Sequence, residues 1–168
     1  MRAQLLAYTL LLSVIASGAI AQPAPAPMKN FIANGEIASL VAKAKADRKD
    51  NQPLVAEPIL SLAPYRAQIE YRPATSPAAV HEKDAELMFV LEGAGNIVTG
   101  GKLTEEKRTN ANNLSGASID GGKTQAVVKG EWFFVPENTP HQVVPTGGAP
   151  IVLITMHVPR PTGTDWPK

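Results

Sequence analysis

The chain has 168 residues, 16 Lys+Arg against 15 Asp+Glu, three histidines and no cysteine. Removing residues 1–21, which hold one Arg and no acid, leaves 15 charges of each sign. That balance excludes the basic excess of a nucleic-acid-binding protein. The absence of Cys excludes disulfides, thiolate metal sites and thiol catalysis.

The opening MRAQLLAYTLLLSVIASGAIA reads as a signal peptide: Arg2 as n-region, Leu5 to Ala16 as h-region, and Ala19-Ile20-Ala21 as an A-x-A site before Gln22. The apolar run is too short for a comfortable membrane span. An exported protein, periplasmic or secreted, with no stable span after cleavage is expected. Residues 22–33 begin QPAPAPM and read as an extended, solvated leader. In 34–50, Ile37, Leu40, Val41 and Ala44 recur at helical spacing, with Asn34 as N-cap and basic residues near the C-terminal end. This predicts one short amphipathic helix whose apolar stripe packs on the rest of the fold.

Over 51–160 the pattern changes to strand-length runs punctuated by Pro and Gly: PILSLAP, YRAQIEYRP, ELMFVLEGAG, NIVTGG, TQAVVKGEWFFVPEN, HQVVP and PIVLITMHVPRP. Such a series argues an all-β barrel or sandwich. In YRAQIEYRP, alternation puts Arg66, Gln68, Glu70 and Arg72 on one face and Tyr65, Ala67, Ile69 and Tyr71 on the other. The second set is more apolar and is expected to line the barrel. That would place Tyr71, with Tyr65 as the alternative, within reach of a site as a catalytic hydrogen-bond or proton-transfer group. Trp132, Phe133 and Phe134 are expected in the barrel wall. Residues 100–122 are polar, flanked by Gly-Gly pairs, and read as an elaborated loop with one short strand near Ala117 to Ile119. A loop of that length is either a functional cover or a surface insertion. Asn113-Leu114-Ser115 also matches a glycosylation acceptor. Residues 161–168 read as an irregular tail.

The histidines fall in two informative settings. His81-x4-Glu86-x6-Gly93 is followed, beyond the loop, by Gly130-x5-Pro136-x-Asn138-x2-His141. Together these resemble the two motifs of the cupin superfamily, Gly-x5-His-x-His-x3or4-Glu-x6-Gly and Gly-x5-Pro-x-Gly-x2-His-x3-Asn. The resemblance covers roughly residues 60–158. His81 matches the second histidine of the first motif, and Ala79 stands where the first would be. Asn138 replaces a glycine, and Asn tolerates the left-handed backbone better than other residues with a Cβ. Pro145 replaces the closing Asn.

The resemblance implies a double-stranded β-helix (jelly-roll) barrel with a short N-terminal helix, and His81, Glu86 and His141 as ligands of a divalent metal. Two imidazoles and a carboxylate leave open positions and suit Fe, Mn, Zn or Ni. The implied activity is a metal-dependent enzyme acting on a small polar molecule by oxygenase, isomerase or lyase chemistry; the alternative is a non-catalytic ligand-binding or scaffold barrel. A homodimer is implied as well. On the last strand Thr155 and His157 share a face opposite Ile154, Met156 and Val158; that face is either solvent-facing or a polar lining.

Overall fold

A computed structural model describes residues 28–160. The signal peptide, residues 22–27 of the leader and the tail 161–168 lie outside the described residues. Helix α1 spans Asn34–Asp47. Its N-cap is Ala33 rather than the expected Asn34, and Glu36 closes the turn by accepting from the Ala33 N–H at 3.0 Å. An acceptor carboxylate in the first turn also suits the positive end of the helix dipole.

Thirteen strands follow: β1 (Val55–Leu62), β2 (Tyr65–Arg72), β3 (Ala78–His81), β4 (Asp84–Glu92), β5 (Ala94–Thr99), β6 (Lys102–Leu103), β7 (Lys107–Asn110), β8 (Asn113–Gly116), β9 (Ile119–Asp120), β10 (Lys123–Val128), β11 (Trp132–Val135), β12 (His141–Pro145) and β13 (Ile151–Pro159). Five of them form one sheet in the order β1-β2-β13-β4-β11, and six form a second in the order β10-β5-β12-β3-β8-β7. Strands β6 and β9 pair as a small ribbon. The paired strands of both sheets run antiparallel.

The inward faces change character along their length. Met88 and Val90 of β4, Ile97 of β5, Val135 of β11, Val143 of β12 and Ile151 and Leu153 of β13 form one dry cluster. Because strand side chains alternate, the same face continues from these residues to Glu86 on β4, to His141 on β12 and to Thr155 and His157 on β13. One end of the barrel is therefore a packed core, and the other end is polar. The polar lining is the open alternative that applies to His157.

A second cluster lies on the outer face of the five-stranded sheet. Val41 of α1 packs there with Ile59, Ala67, Ile69 and Val152, and Tyr71 lies against its edge. This corrects the reading of β2. The apolar set Ala67, Ile69 and Tyr71 faces the helix layer, and Gln68, Glu70 and Arg72 line the interior. An apolar strand face seeks cover, but a helix covers it as well as a barrel core does. Tyr71 is thus removed from the site, and Tyr65 is exposed.

Strand β11 is the edge of its sheet. Trp132 is 62% and Phe134 55% exposed, and only Phe133 packs against the inner cluster. Of the three aromatics expected in the barrel wall, two therefore face outward, with Trp132 stacked on Phe89 at 4.7 Å.

The segment 100–122 is more structured than expected: it carries β6, β7, β8 and β9. Strand β8 extends the six-stranded sheet by pairing with β3, setting Asn113 opposite His81 and Ser115 opposite Ala79. The segment acts as sheet, not as a detached cover.

Candidate metal centre

His81 ends β3, and a two-residue turn returns the chain into β4, which carries Glu86. The second motif ends in a turn whose Asn138 adopts φ +54°, a left-handed conformation that favours glycine. The Asn138 N–H donates to the His81 carbonyl at 2.7 Å, so the two motifs are tied through backbone. His141 then opens β12, directly opposite Ala79 of β3. On β13, His157 is in register with Glu86 of β4.

These placements bring the three motif residues together. His141 Nε2 lies 3.0 Å and His81 Nε2 3.5 Å from the same oxygen, Glu86 Oε2. His157 Nε2 lies 3.8 Å from the other oxygen, Glu86 Oε1. The His81 ring is 5.2 Å from that of His141 and 4.5 Å, edge-on, from that of His157. One ligand atom each from His81, Glu86 and His157 falls within a mutual 4.8 Å, a cluster that can hold a metal ion. Glu86, His141 and His157 are each at most 5% exposed. The sequence motifs do not include His157. Its signal is the parity it shares with Thr155, which becomes informative only once β13 is known to lie beside β4.

Hydrogen bonding fixes the imidazole tautomers. His141 Nδ1 lies 3.1 Å from the Thr139 carbonyl, which only accepts, so Nδ1 carries a proton. His81 Nδ1 lies 2.9 Å from Asn113 Oδ1 and is a donor for the same reason. In the neutral imidazoles both Nε2 lone pairs then face the Glu86 carboxylate. Three electron-rich atoms at this separation need a cation between them: an added proton on the imidazoles or a metal ion. His157 adds a further observation. Its Nδ1 is the one fully buried side-chain N or O without a hydrogen-bond partner among the described residues; Asp84 Oδ2, at 3.9 Å, is too distant to serve. The donor atoms facing the centre are the Nε2 atoms and the Glu86 oxygens, a set that can hold a metal ion.

The electrostatics agree. Burial pushes the Glu86 carboxyl up, but hydrogen bonds from His141 and His81 and the charges of His141 and His157 outweigh it, holding the group ionised well below the usual carboxylate range. Burial works against protonated His81; hydrogen bonds with Glu86 and Asn113 outweigh it and raise this imidazole. Burial dominates at His157 and lowers it, keeping that ring in the neutral form a metal requires.

The cluster opens onto a cavity of about 390 Å³ whose wall also includes Ala79, Gln68, Glu70, Arg72 and Ser76. Asn113 is the orienting residue: half-buried on strand β8, it holds His81 through its Oδ1. Partners of this kind tune metal affinity by about 10–100-fold. An Asn113→Ala variant is expected to weaken metal binding about tenfold without abolishing it, measured by competition with a chromophoric chelator.

No protein-family model matches the chain, and no curated protein matches it. Solved structures do. The cupin domain of Schizosaccharomyces pombe Cnp3 is 15% identical with a TM-score of 0.50, over 67% of this chain and 65% of that one. A Klebsiella pneumoniae protein with a double-stranded β-helix domain is 13% identical with a TM-score of 0.50, over 67% and 82%. Fe(II) HppE is 18% identical with a TM-score of 0.50, over 66% and 54%. The chain thus spans about two thirds of the Cnp3 domain and about half of HppE. At these identities the likeness shows the fold alone: the chain has the architecture of these structures, a double-stranded β-helix barrel, with one N-terminal helix.

Proposed function

We propose that the chain is an exported, metal-dependent cupin enzyme acting on a small polar molecule. His81, Glu86 and His141 hold a divalent ion, with His157 joining them from the last strand. The observation that carries this reading is the convergence of the His81 and His141 Nε2 atoms on one oxygen of a buried carboxylate, with the His157 Nε2 facing its other oxygen. Ala79 lines the cavity in the place of the missing motif histidine, and His157 supplies the third imidazole from another wall.

In such a site the chain's own residues have separate tasks. Asn113 and the Thr139 carbonyl hold the His81 and His141 rings with Nε2 toward the centre. The apolar cluster of Met88, Val90 and Leu153 closes the barrel floor and excludes water from below. Gln68, Glu70 and Arg72 present polar groups to whatever occupies the cavity. The ion, when bound, supplies Lewis acidity to a substrate oxygen or to water. Iron, manganese, zinc and nickel all accept this donor set. The fold of Fe(II) HppE, which resembles this one, supports iron among them.

A second reading, a non-catalytic binding barrel, is favoured by one observation. Glu70 is the cavity carboxylate outside the cluster, and both its oxygens are already engaged. It has no oxygen left free to accept from a substrate. Turnover separates the readings: the Fe-, Mn-, Ni- and Zn-loaded mature protein is incubated with panels of organic acids, sugar acids and phenols. Conversion that requires the metal supports the enzyme. Saturable binding without conversion by any loaded form supports the binding barrel.

Export is part of the proposal and is supported by the signal-like order of residues 1–21 in the sequence. Pairing of two chains is a further part of the proposal, supported by the exposed Trp132 and Phe134 on the β11 edge.

A further inference from the structure

The cavity wall formed by β2, the strand beside β13, holds a buried ion pair that the metal centre does not use. Glu70 is 3% and Arg72 9% exposed, and they alternate with outward-facing Ile69 and Tyr71 on β2. Arg72 Nε and Nη2 lie 2.8 and 2.7 Å from Glu70 Oε2. Arg72 Nη1 donates to Ser76 Oγ. The second oxygen, Glu70 Oε1, accepts from Gln68 Nε2 at 2.7 Å and from Thr155 Oγ1 at 3.3 Å.

Burying two charges costs several kcal/mol per ion before pairing, so a pair placed only for stability is a poor solution. This pair also lines a cavity instead of lying in the closed core. The donor count is uneven. Glu70 accepts from four donor atoms, which saturates it, whereas a guanidinium has five N–H groups and the contacts above use three. Two N–H donors of Arg72 remain. Ser76, held in turn by Gln142 donating to its carbonyl at 2.8 Å, keeps the guanidinium from swinging away. The result is an oriented cationic fork on the cavity wall, held by a carboxylate that has nothing left to accept.

Charge balance points the same way. Glu70 and Arg72 cancel, and Glu86 cancels only half of a divalent ion, leaving the loaded cavity with one positive charge. A monoanion neutralises it.

We propose that Arg72 is a specificity-determining residue that receives the carboxylate of a small carboxylic acid, with Glu70 and Ser76 as its positioning residues. This rests on the reading of the cavity as the ligand site beside the metal centre and narrows its substrate class from small polar molecules to carboxylates. A carboxylate meets the two free N–H donors as a charge-assisted acceptor, and a neutral amide of the same shape does not.

The test is calorimetric titration of the mature protein, metal-free and Zn-loaded, with lactate, malonate and benzoate, each beside its neutral amide. Metal content is measured on every sample. At least one acid is expected to bind ten times more tightly than its amide, and Arg72→Gln is expected to erase that ratio while leaving zinc stoichiometry unchanged. Arg72→Gln strands Glu70 as a buried charge and is open to misfolding. The Glu70→Gln/Arg72→Gln double variant removes both charges and is expected to erase the ratio too. No preference for any acid in the wild type, or a preference that survives in the folded variants, overturns the proposal. Failure of zinc to bind overturns the metal centre alone; the Arg72 proposal is then read on the metal-free protein as the change in acid-to-amide ratio between the wild type and the Glu70→Gln/Arg72→Gln variant, which carry the same net charge, and an unchanged ratio overturns it.

Discussion

A His141→Ala variant is expected to lose metal affinity by more than a hundredfold while keeping its fold. His141 supplies the shortest approach to Glu86, at 3.0 Å, and its tautomer is fixed by the Thr139 carbonyl. Removing an orienting partner already costs a metal site about 10–100-fold, so removing a ligand should cost more. The metal-free variant is destabilised as well, because Glu86 stays buried with one hydrogen-bond partner fewer, a loss of about 1–3 kcal/mol. His157→Ala separates the two effects. It is also expected to weaken metal binding, but the deleted ring carries an orphaned Nδ1, so removing it relieves an unpaired polar atom and offsets part of the cavity cost. Chelator competition together with urea unfolding of the metal-free proteins reads both quantities. Unchanged metal affinity in His141→Ala contradicts the ligand assignment.

Gly93→Ala is expected to be a strongly damaging small substitution in the barrel. Gly93 closes the first motif with φ +80°, and a Cβ there would lie 2.3 Å from the Pro150 carbonyl oxygen. Left-handed backbone costs a residue with a Cβ about 1–2 kcal/mol, and overpacking against fixed backbone adds about 1–3. A loss of about 2–5 kcal/mol follows. Gly130, which opens the second motif, is the control. Its φ is +91°, but nothing lies within 4 Å of a built Cβ. Gly130→Ala should therefore show the conformational cost alone, about 1–2 kcal/mol. Urea midpoints of the two variants measure the contrast. Equal losses would mean that the approach of Pro150 carries no energy.

The two motif glycines illustrate what could be read before the fold was known. The resemblance to the two motifs is what grouped His81, Glu86 and His141, and turn chemistry is visible beside both histidines: Glu82-Lys83 after the first, Asn138 before the last. The helix was equally visible from Ile37, Leu40, Val41 and Ala44. What spacing does not supply is which face of a strand is inside. Alternation groups Gln68, Glu70 and Arg72 correctly, but it is silent on whether the apolar partners Ala67 and Ile69 are covered by a barrel or by a helix. Helix α1 covers them, so Tyr71 goes outward and a charged pair goes inward. The same gap hid Trp132 and Phe134, whose exposure depends on β11 being an edge strand. His157 and Asn113 were out of reach for another reason. Each acts through a strand distant in sequence, β13 beside β4 and β8 beside β3, and sheet order is not written in local pattern. The 100–122 segment likewise reads as loop because its strands are two to four residues long and polar.

The central claim is that the cluster around Glu86 binds a divalent ion, and anomalous diffraction from crystals of the mature protein, purified without chelator or a His tag, tests it most directly. The account predicts one strong anomalous peak, at the edge of Fe, Mn, Ni or Zn, in contact with His81, Glu86, His141 and His157. A featureless map at that position, after soaking with each of the four ions, would contradict it.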